Sequence, residues 1–152
     1  MNKLTAYVMV GPQGGGKSSK AKEIADLENA VIIDGDEIKQ ELYGSAEVQG
    51  DWIEINDRIE ELISESCGMS VILDGTYWKK SYREEAIALL KSYGYDKIEA
   101  VVCCPSLATC MARNWSRERN VPDYALQMTY EGFQRESKDI LNEEFDRVTF
   151  VY

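Results

Sequence analysis

Nine residues, GPQGGGKSS from Gly11 to Ser19, have the order and composition of a loop that holds phosphate. They match G-x-x-x-x-G-K-[ST] at each specified position: Gly11, Gly16, Lys17 and Ser18. Glycine lets backbone wrap closely round phosphate oxygens and turn successive N–H groups inward. Gly11, Gln13, Gly14, Gly15, Gly16, Lys17, Ser18 and Ser19 are therefore the expected phosphate-binding set. A helix starting near Lys17 aims its positive end at the same point. Lys17 is expected to reach the β- and γ-phosphates and Ser18 to ligate Mg²⁺, which makes Mg²⁺-ATP the expected ligand.

A phosphate cradle leaves the destination of the phosphate open. It can go to water, to a conformational switch or to an acceptor hydroxyl. AVIIDGDEIKQ sets Asp34 and Asp36 at the C-terminal end of a strand, where open α/β sheets bind ligands. A carboxylate there can take the proton of an attacking hydroxyl, and Asp36 is the candidate base; the competing role is capping the helix that follows. Asp34 is the candidate for support on the Mg²⁺ side. SVILDGTYWKK ends another strand at Asp74, placed to orient metal-bound water or the reacting groups, or simply to start an Asp-Gly turn. Thr76, Tyr77 and Trp78 follow on a loop, where the aromatics either stack on a base or pack. Arg113 and Arg117 lie four apart, with Arg119 beyond, before a proline-bounded turn. Such a cluster suits a lid over 113–122 that closes on a triphosphate, or a solvated basic helix end.

These residues need a scaffold, and the chain alternates strand-like with helix-like segments. Strands are expected over 4–10, 30–34, 70–74, 97–104 and 147–152. Helices are expected over 17–27, 36–44, 82–94, from Ser106 onward and over 123–135. Between them, Ile55, Ile59, Leu62, Ile63 and Cys67 recur at i, i+4, i+7, i+8 and i+12, one face of a longer helix. Five strands with helical crossovers give an α/β fold with a parallel sheet between helical layers. A single domain over 1–152 is expected.

Composition narrows the class. With 44% hydrophobic and 29% charged residues, the 152-residue chain reads as globular rather than disordered. Its apolar runs are too short to span a bilayer, and the N-terminal run leads straight into the glycine loop, as a buried strand would. Cys67, Cys103, Cys104 and Cys110 lack metal spacing and there is no histidine, so reduced thiols and a cytoplasmic setting are expected. Without histidine, acid–base chemistry falls to carboxylates, lysine or tyrosine. The net charge of −10 disfavours long-range attraction to nucleic acid but leaves room for a locally basic groove.

The strand, loop and helix around GPQGGGKSS resemble the P-loop NTPase superfamily. GPQGGGKSS, IIDGDEIKQ, VILDGTYWKKSYRE and ARNWSRERNVP, in that order, resemble the kinase domain of phage-type polynucleotide 5′-kinases and their small P-loop kinase relatives. The likeness runs from about Leu4 to Phe133. It implies a nucleoside-kinase-like three-layer sandwich, with Asp36 as the base for a 5′-hydroxyl. It also implies Asp74 as the carboxylate after the third strand, and Arg113, Asn114 and Arg117 as the R-N-x-x-R of the lid. Arg113 and Arg117 would then touch the nucleotide, with Arg117 acting in transfer beside Lys17 and Asp36. Where the family often carries an acceptor-binding arginine this chain has Lys39, which keeps the charge and loses the bidentate fork. Asp36, Lys39, Asp74, Thr76 and Tyr77 are the expected acceptor-side residues. The resemblance implies transfer from ATP to the 5′-hydroxyl of a single-stranded nucleic acid end or nucleotide. A small hydroxyl acceptor (nucleoside, sugar or antibiotic) and a slow, nucleotide-gated ATPase are the alternatives.

Overall fold

The computed structural model describes residues 4–12, 15–46, 48–75, 77–116 and 121–152. Five parallel strands, β1 (Thr5–Val10), β2 (Val31–Asp34), β3 (Val71–Asp74), β4 (Lys97–Cys103) and β5 (Arg147–Val151), form one sheet in the order β2-β3-β1-β4-β5. Six helices connect them: α1 (Lys17–Glu28), α2 (Gly35–Tyr43), α3 (Trp52–Glu65), α4 (Lys80–Ser92), α5 (Leu107–Trp115) and α6 (Asp123–Ser137). A short 3₁₀ turn, Ile140–Asn142, precedes β5.

The pleat sorts the strands' apolar residues onto two faces. On β1, Ala6, Val8 and Val10 join one core, with Val71 and Leu73 of β3 and Ile98, Ala100 and Val102 of β4. Met9, Ile72, Val101 and Cys103 point the other way, onto Ala21, Ile24 and Ala25 of α1. The first core is the larger because α3 and α4 cover it with Ile55, Ile59, Ile63, Ala86, Ile87 and Leu90. Helices on both faces of a parallel sheet make the expected three-layer sandwich. Truncating Ile63, 1% exposed, to alanine should cost about 2–5 kcal/mol, the usual range for a buried aliphatic.

Element ends follow local chemistry. Asp51 caps α3 by accepting from the Ile53 N–H at 2.8 Å, and Ser106 caps α5 by accepting from the Thr109 N–H at 3.2 Å. Ser70 lies outside β3, and its hydroxyl accepts from the Thr5 N–H at 3.1 Å instead of continuing the strand. One expectation on α3 fails. Cys67 is exposed because the helix ends at Glu65, and Ser66 turns its hydroxyl back onto the Leu62 carbonyl at 2.8 Å. Cys103 and Cys110 are buried free thiols, and burial pushes the Cys103 thiol up to about 11. No helix among the described residues is long and apolar enough to cross a membrane.

Candidate active site

The phosphate loop runs from the end of β1 into α1. Gly11 crosses the end of β4 so closely that a Cβ would stand 2.5 Å from the Cys103 carbonyl oxygen. Gly15 donates to the Pro12 carbonyl at 3.1 Å, which closes the turn. Gly16 is the N-cap of α1 at φ +86°, a left-handed conformation that favours glycine. Having no side chain, Gly16 places no cap on the first N–H groups of α1, so they remain for an anion. Gln13 and Gly14 lie outside the described residues.

Lys17 folds back over this loop, donating to the Gly11 carbonyl at 2.9 Å and to Pro12 at 3.4 Å. Burial pulls its ammonium below the ordinary lysine range, and the Asp74 carboxylate opposes that pull. Ser18 and Ser19 follow in the first turn of α1, both exposed. The Ser18 hydroxyl donates to Asp74 Oδ2 at 3.1 Å.

Registry brings the carboxylates together. Asp34 pairs with Asp74 across β2 and β3, and Asp74 pairs with Met9 of β1, so three strand tips end side by side. Asp74 is 6% exposed, and burial raises its carboxyl above the usual range while Lys17 holds it down. Asp34 is raised too, chiefly by burial. Asp34 Oδ1 accepts from the Asp36 N–H at 2.8 Å, making Asp34 the cap of α2. That assignment frees Asp36 from the capping role. Its carboxylate is exposed in the first turn of α2, with no hydrogen bond or ion pair to any described residue.

Asp36, Asp74, Lys17, Ser18 and Lys39 all line one cleft of about 1110 Å³. Lys39 lies one turn beyond Asp36 on α2, so both present to the same side. A serine hydroxyl facing a buried carboxylate is an oxygen donor set that fits Mg²⁺, a hard ion that takes few protein oxygens and completes its shell with water and phosphate.

The far wall of the cleft differs from the expected one. Tyr77, anticipated as an acceptor contact, lines the cleft but offers little surface: it is 2% exposed and packs edge-on against Trp52 at 6.4 Å. Burial raises its phenol well above the ordinary range. The open aromatic surface belongs instead to Trp52 and Tyr82, stacked with centroids 4.2 Å apart, and to Trp78. The Trp52 indole N–H donates to Glu85 Oε2 at 2.8 Å, and the Lys79 ammonium sits 5.2 Å from the Trp78 ring and 5.3 Å from Tyr82. Trp52 and Tyr82 went unnoticed in the sequence because they fall on different helices. Thr76 lies outside the described residues.

At the other end, the Arg113 guanidinium reaches the phosphate loop: a Cβ on Gly16 would be 3.3 Å from its Nη1. The next residue, Asn114, is 1% exposed, donating to the Val121 carbonyl at 2.7 Å and accepting from the Val121 N–H at 3.1 Å. This two-way clasp ties the ends of the arginine-rich stretch together. Arg117 and Arg119 lie outside the described residues.

A glycine loop after β1, a carboxylate at the tip of β3 and helices on both faces define a P-loop NTPase sandwich with a kinase-like cleft. The chain belongs to the AAA domain family, whose model matches residues 7–135. It is similar to a chain of the Pnkp1/Rnl/Hen1 RNA repair complex, with TM-score 0.73 and 16% identity over 91% of this chain. It spans 47% of that larger chain. A gluconokinase from Sinorhizobium meliloti 1021 matches with TM-score 0.64 and 20% identity, covering 98% of this chain and 83% of its own. A sugar kinase from Janibacter sp. HTCC2649 matches with TM-score 0.62 and 17% identity, covering 99% and 85%. At these identities the likeness is one of fold. No curated protein sequence matches the chain.

Proposed function

We propose that the protein is a Mg²⁺-ATP phosphotransferase whose acceptor is the 5′-hydroxyl of a polynucleotide end or nucleotide. The observation that carries this reading is the division of labour between two aspartates. Asp34 caps α2, which leaves the Asp36 carboxylate unengaged and facing the cleft that holds Lys17 and Ser18. A carboxylate so placed can take a proton from an attacking hydroxyl, and dependence on an added acceptor is what separates this reading from a slow ATPase.

The triphosphate lies on the loop amides and the N-terminus of α1, with Lys17 leaving the Gly11 carbonyl for the phosphates. Arg113, whose guanidinium lies beside Gly16, is placed to offset charge that develops on the transferred group. Ser18 and Asp74 are the residues that would hold Mg²⁺, which would supply charge neutralisation at the phosphates. Asp36 accepts the proton of the acceptor hydroxyl. Lys39 and Lys79 meet the acceptor's phosphate, and Trp52 and Tyr82 offer it a stacking wall.

The polynucleotide acceptor is supported by that aromatic, lysine-bearing wall together with the RNA-repair neighbour. The competing acceptor is a sugar or sugar acid, favoured by neighbours of nearly this chain's length that are a gluconokinase and a sugar kinase. The discriminating experiment supplies γ-labelled ATP with a single-stranded 5′-hydroxyl oligonucleotide or with gluconate. Label on the oligonucleotide alone supports the proposal. Label on gluconate alone replaces the acceptor and keeps the mechanism.

A further inference from the structure

Arg83 has no place in the chemistry above, yet its side chain is the largest fully buried one among the described residues, at 0% exposure. A guanidinium has five N–H donors, and here all five are used. Nε and Nη2 donate to the two carboxylate oxygens of Glu143, each at 2.7 Å. The remaining three go to backbone: Nη1 to the Tyr77 carbonyl at 2.9 Å and the Trp78 carbonyl at 2.7 Å, Nη2 to the Glu136 carbonyl at 2.7 Å. A buried ion pair is costly to desolvate and is often replaceable by apolar residues without loss of stability. Stability alone is therefore a weak reason for this one. What the arginine does that an apolar pair could not is hold two carbonyls of the loop after β3 against the last turn of α6.

Two further contacts join the same parts. The Trp78 ring lies so close to Gly132 of α6 that a Cβ there would stand 3.2 Å from it. The Lys80 N–H donates to Glu136 Oε2 at 3.3 Å. The other end of α6 begins two residues after Val121, which Asn114, the neighbour of Arg113, clasps. One helix thus starts beside the segment that carries Arg113 and finishes at the acceptor wall.

We propose that Arg83 is a positioning residue: it fixes the acceptor wall at Tyr77 and Trp78 to α6, so that nucleotide on the phosphate loop orders that wall from a distance. This rests on the phosphotransferase reading for its ligands, but its test does not depend on which hydroxyl is phosphorylated. Amide hydrogen exchange is followed with and without the non-hydrolysable analogue AMP-PNP and Mg²⁺. The proteins are wild type, Arg83→Met combined with Glu143→Leu, and Arg83→Lys. The double variant removes both charges and keeps apolar volume. The lysine variant keeps the charge and loses the fork, and serves if the double variant does not fold.

In the wild type, AMP-PNP should slow exchange both at the first turn of α1 and at residues 77–82, by about tenfold or more at the latter. In the variants the slowing at α1 should persist while that at 77–82 is lost, and the acceptor KM should rise with the nucleotide affinity unchanged. An unresponsive 77–82 segment in the wild type, or a response kept in a folded variant, overturns the inference. The phosphotransferase reading fails separately: nucleotide-driven protection at 77–82 with no transfer to oligonucleotide or gluconate would sink those acceptors and leave Arg83's role standing. Absence of AMP-PNP binding would sink both.

Discussion

The two ends of the cleft are built on different principles. At the phosphate end, backbone does the work: glycines pressed against the Cys103 carbonyl, unclaimed N–H groups at the start of α1, and a lysine whose resting partners are two carbonyls of its own loop. At the proposed acceptor end the wall is made of side chains from α3, α4 and the loop between β3 and α4, and Arg83 holds two carbonyls of that loop. A backbone cradle recognises a ligand group common to all nucleoside triphosphates. A side-chain wall can be exchanged without disturbing it. On the proposed reading, donor chemistry and acceptor choice are therefore separable in this cleft.

If that separation holds, the largest effect belongs to the cradle. Lys17→Met should cost about 10³-fold in transfer rate, the scale of losing a positioned charge on the transferred group. The same change should raise Tm, because a desolvated ammonium is replaced by an apolar chain. A thermal melt beside a transfer assay reads both effects.

Asp74→Asn should lower transfer by about 10²-fold, since it removes a carboxylate placed for the metal. Its stability signature has a definite sign. The folded-state carboxyl titrates above the unfolded one, so the folded protein holds the extra proton between the two values. Stability is therefore lost as pH rises from the ordinary aspartate value of about 3.9 through the folded value. The asparagine variant should match wild-type stability at low pH and exceed it at neutral pH. Denaturant melts across that range check this, and a variant less stable at neutral pH contradicts it.

Effects at the acceptor wall should be smaller and confined to acceptor binding. Trp52→Leu should raise the acceptor KM by about tenfold, within the 1–3 kcal/mol per stacked base, and leave ATP affinity alone. An equal loss of ATP affinity would break the separation. The smallest effect is expected from Gly132→Ala, whose Cβ must push the Trp78 ring by a few tenths of an ångström. Acceptor KM should rise about two- to threefold while the helix gains up to about 1 kcal/mol of intrinsic propensity. Steady-state kinetics beside a melt would separate the two.

The same contrast explains what could be read in the sequence. The phosphate loop is contiguous, its chemistry depends on glycine and lysine at fixed spacing, and a strand and a helix flank it, so it was legible as a local motif. The strands were legible because β1, β3 and β4 are nearly unbroken apolar runs, as a doubly covered sheet requires. Asp34 and Asp36 were legible as a pair, but only hydrogen bonding could assign the cap to the first and free the second. Cys67 was misplaced because the apolar spacing was followed past the end of the helix: Ser66 turns its hydroxyl back onto Leu62, and Gly68, at φ +88°, completes the turn. Arg83 sits in YREEA, where an arginine among acids reads as a solvated helix face. Its burial comes from Glu143, 60 residues later. Trp52 and Tyr82 become a stack only when α3 and α4 lie side by side, which no local pattern records.

In the proposed mechanism, Asp36 is the group that turns a nucleotide-binding loop into a phosphotransferase. The most direct measurement is single-turnover transfer from γ-labelled ATP to a 5′-hydroxyl oligonucleotide by wild type and Asp36→Asn, with AMP-PNP affinity measured on both. Equal affinity and a transfer rate lower by about 10²–10⁴-fold in the variant are expected. Transfer that survives the substitution would contradict that role and move the acceptor's proton elsewhere.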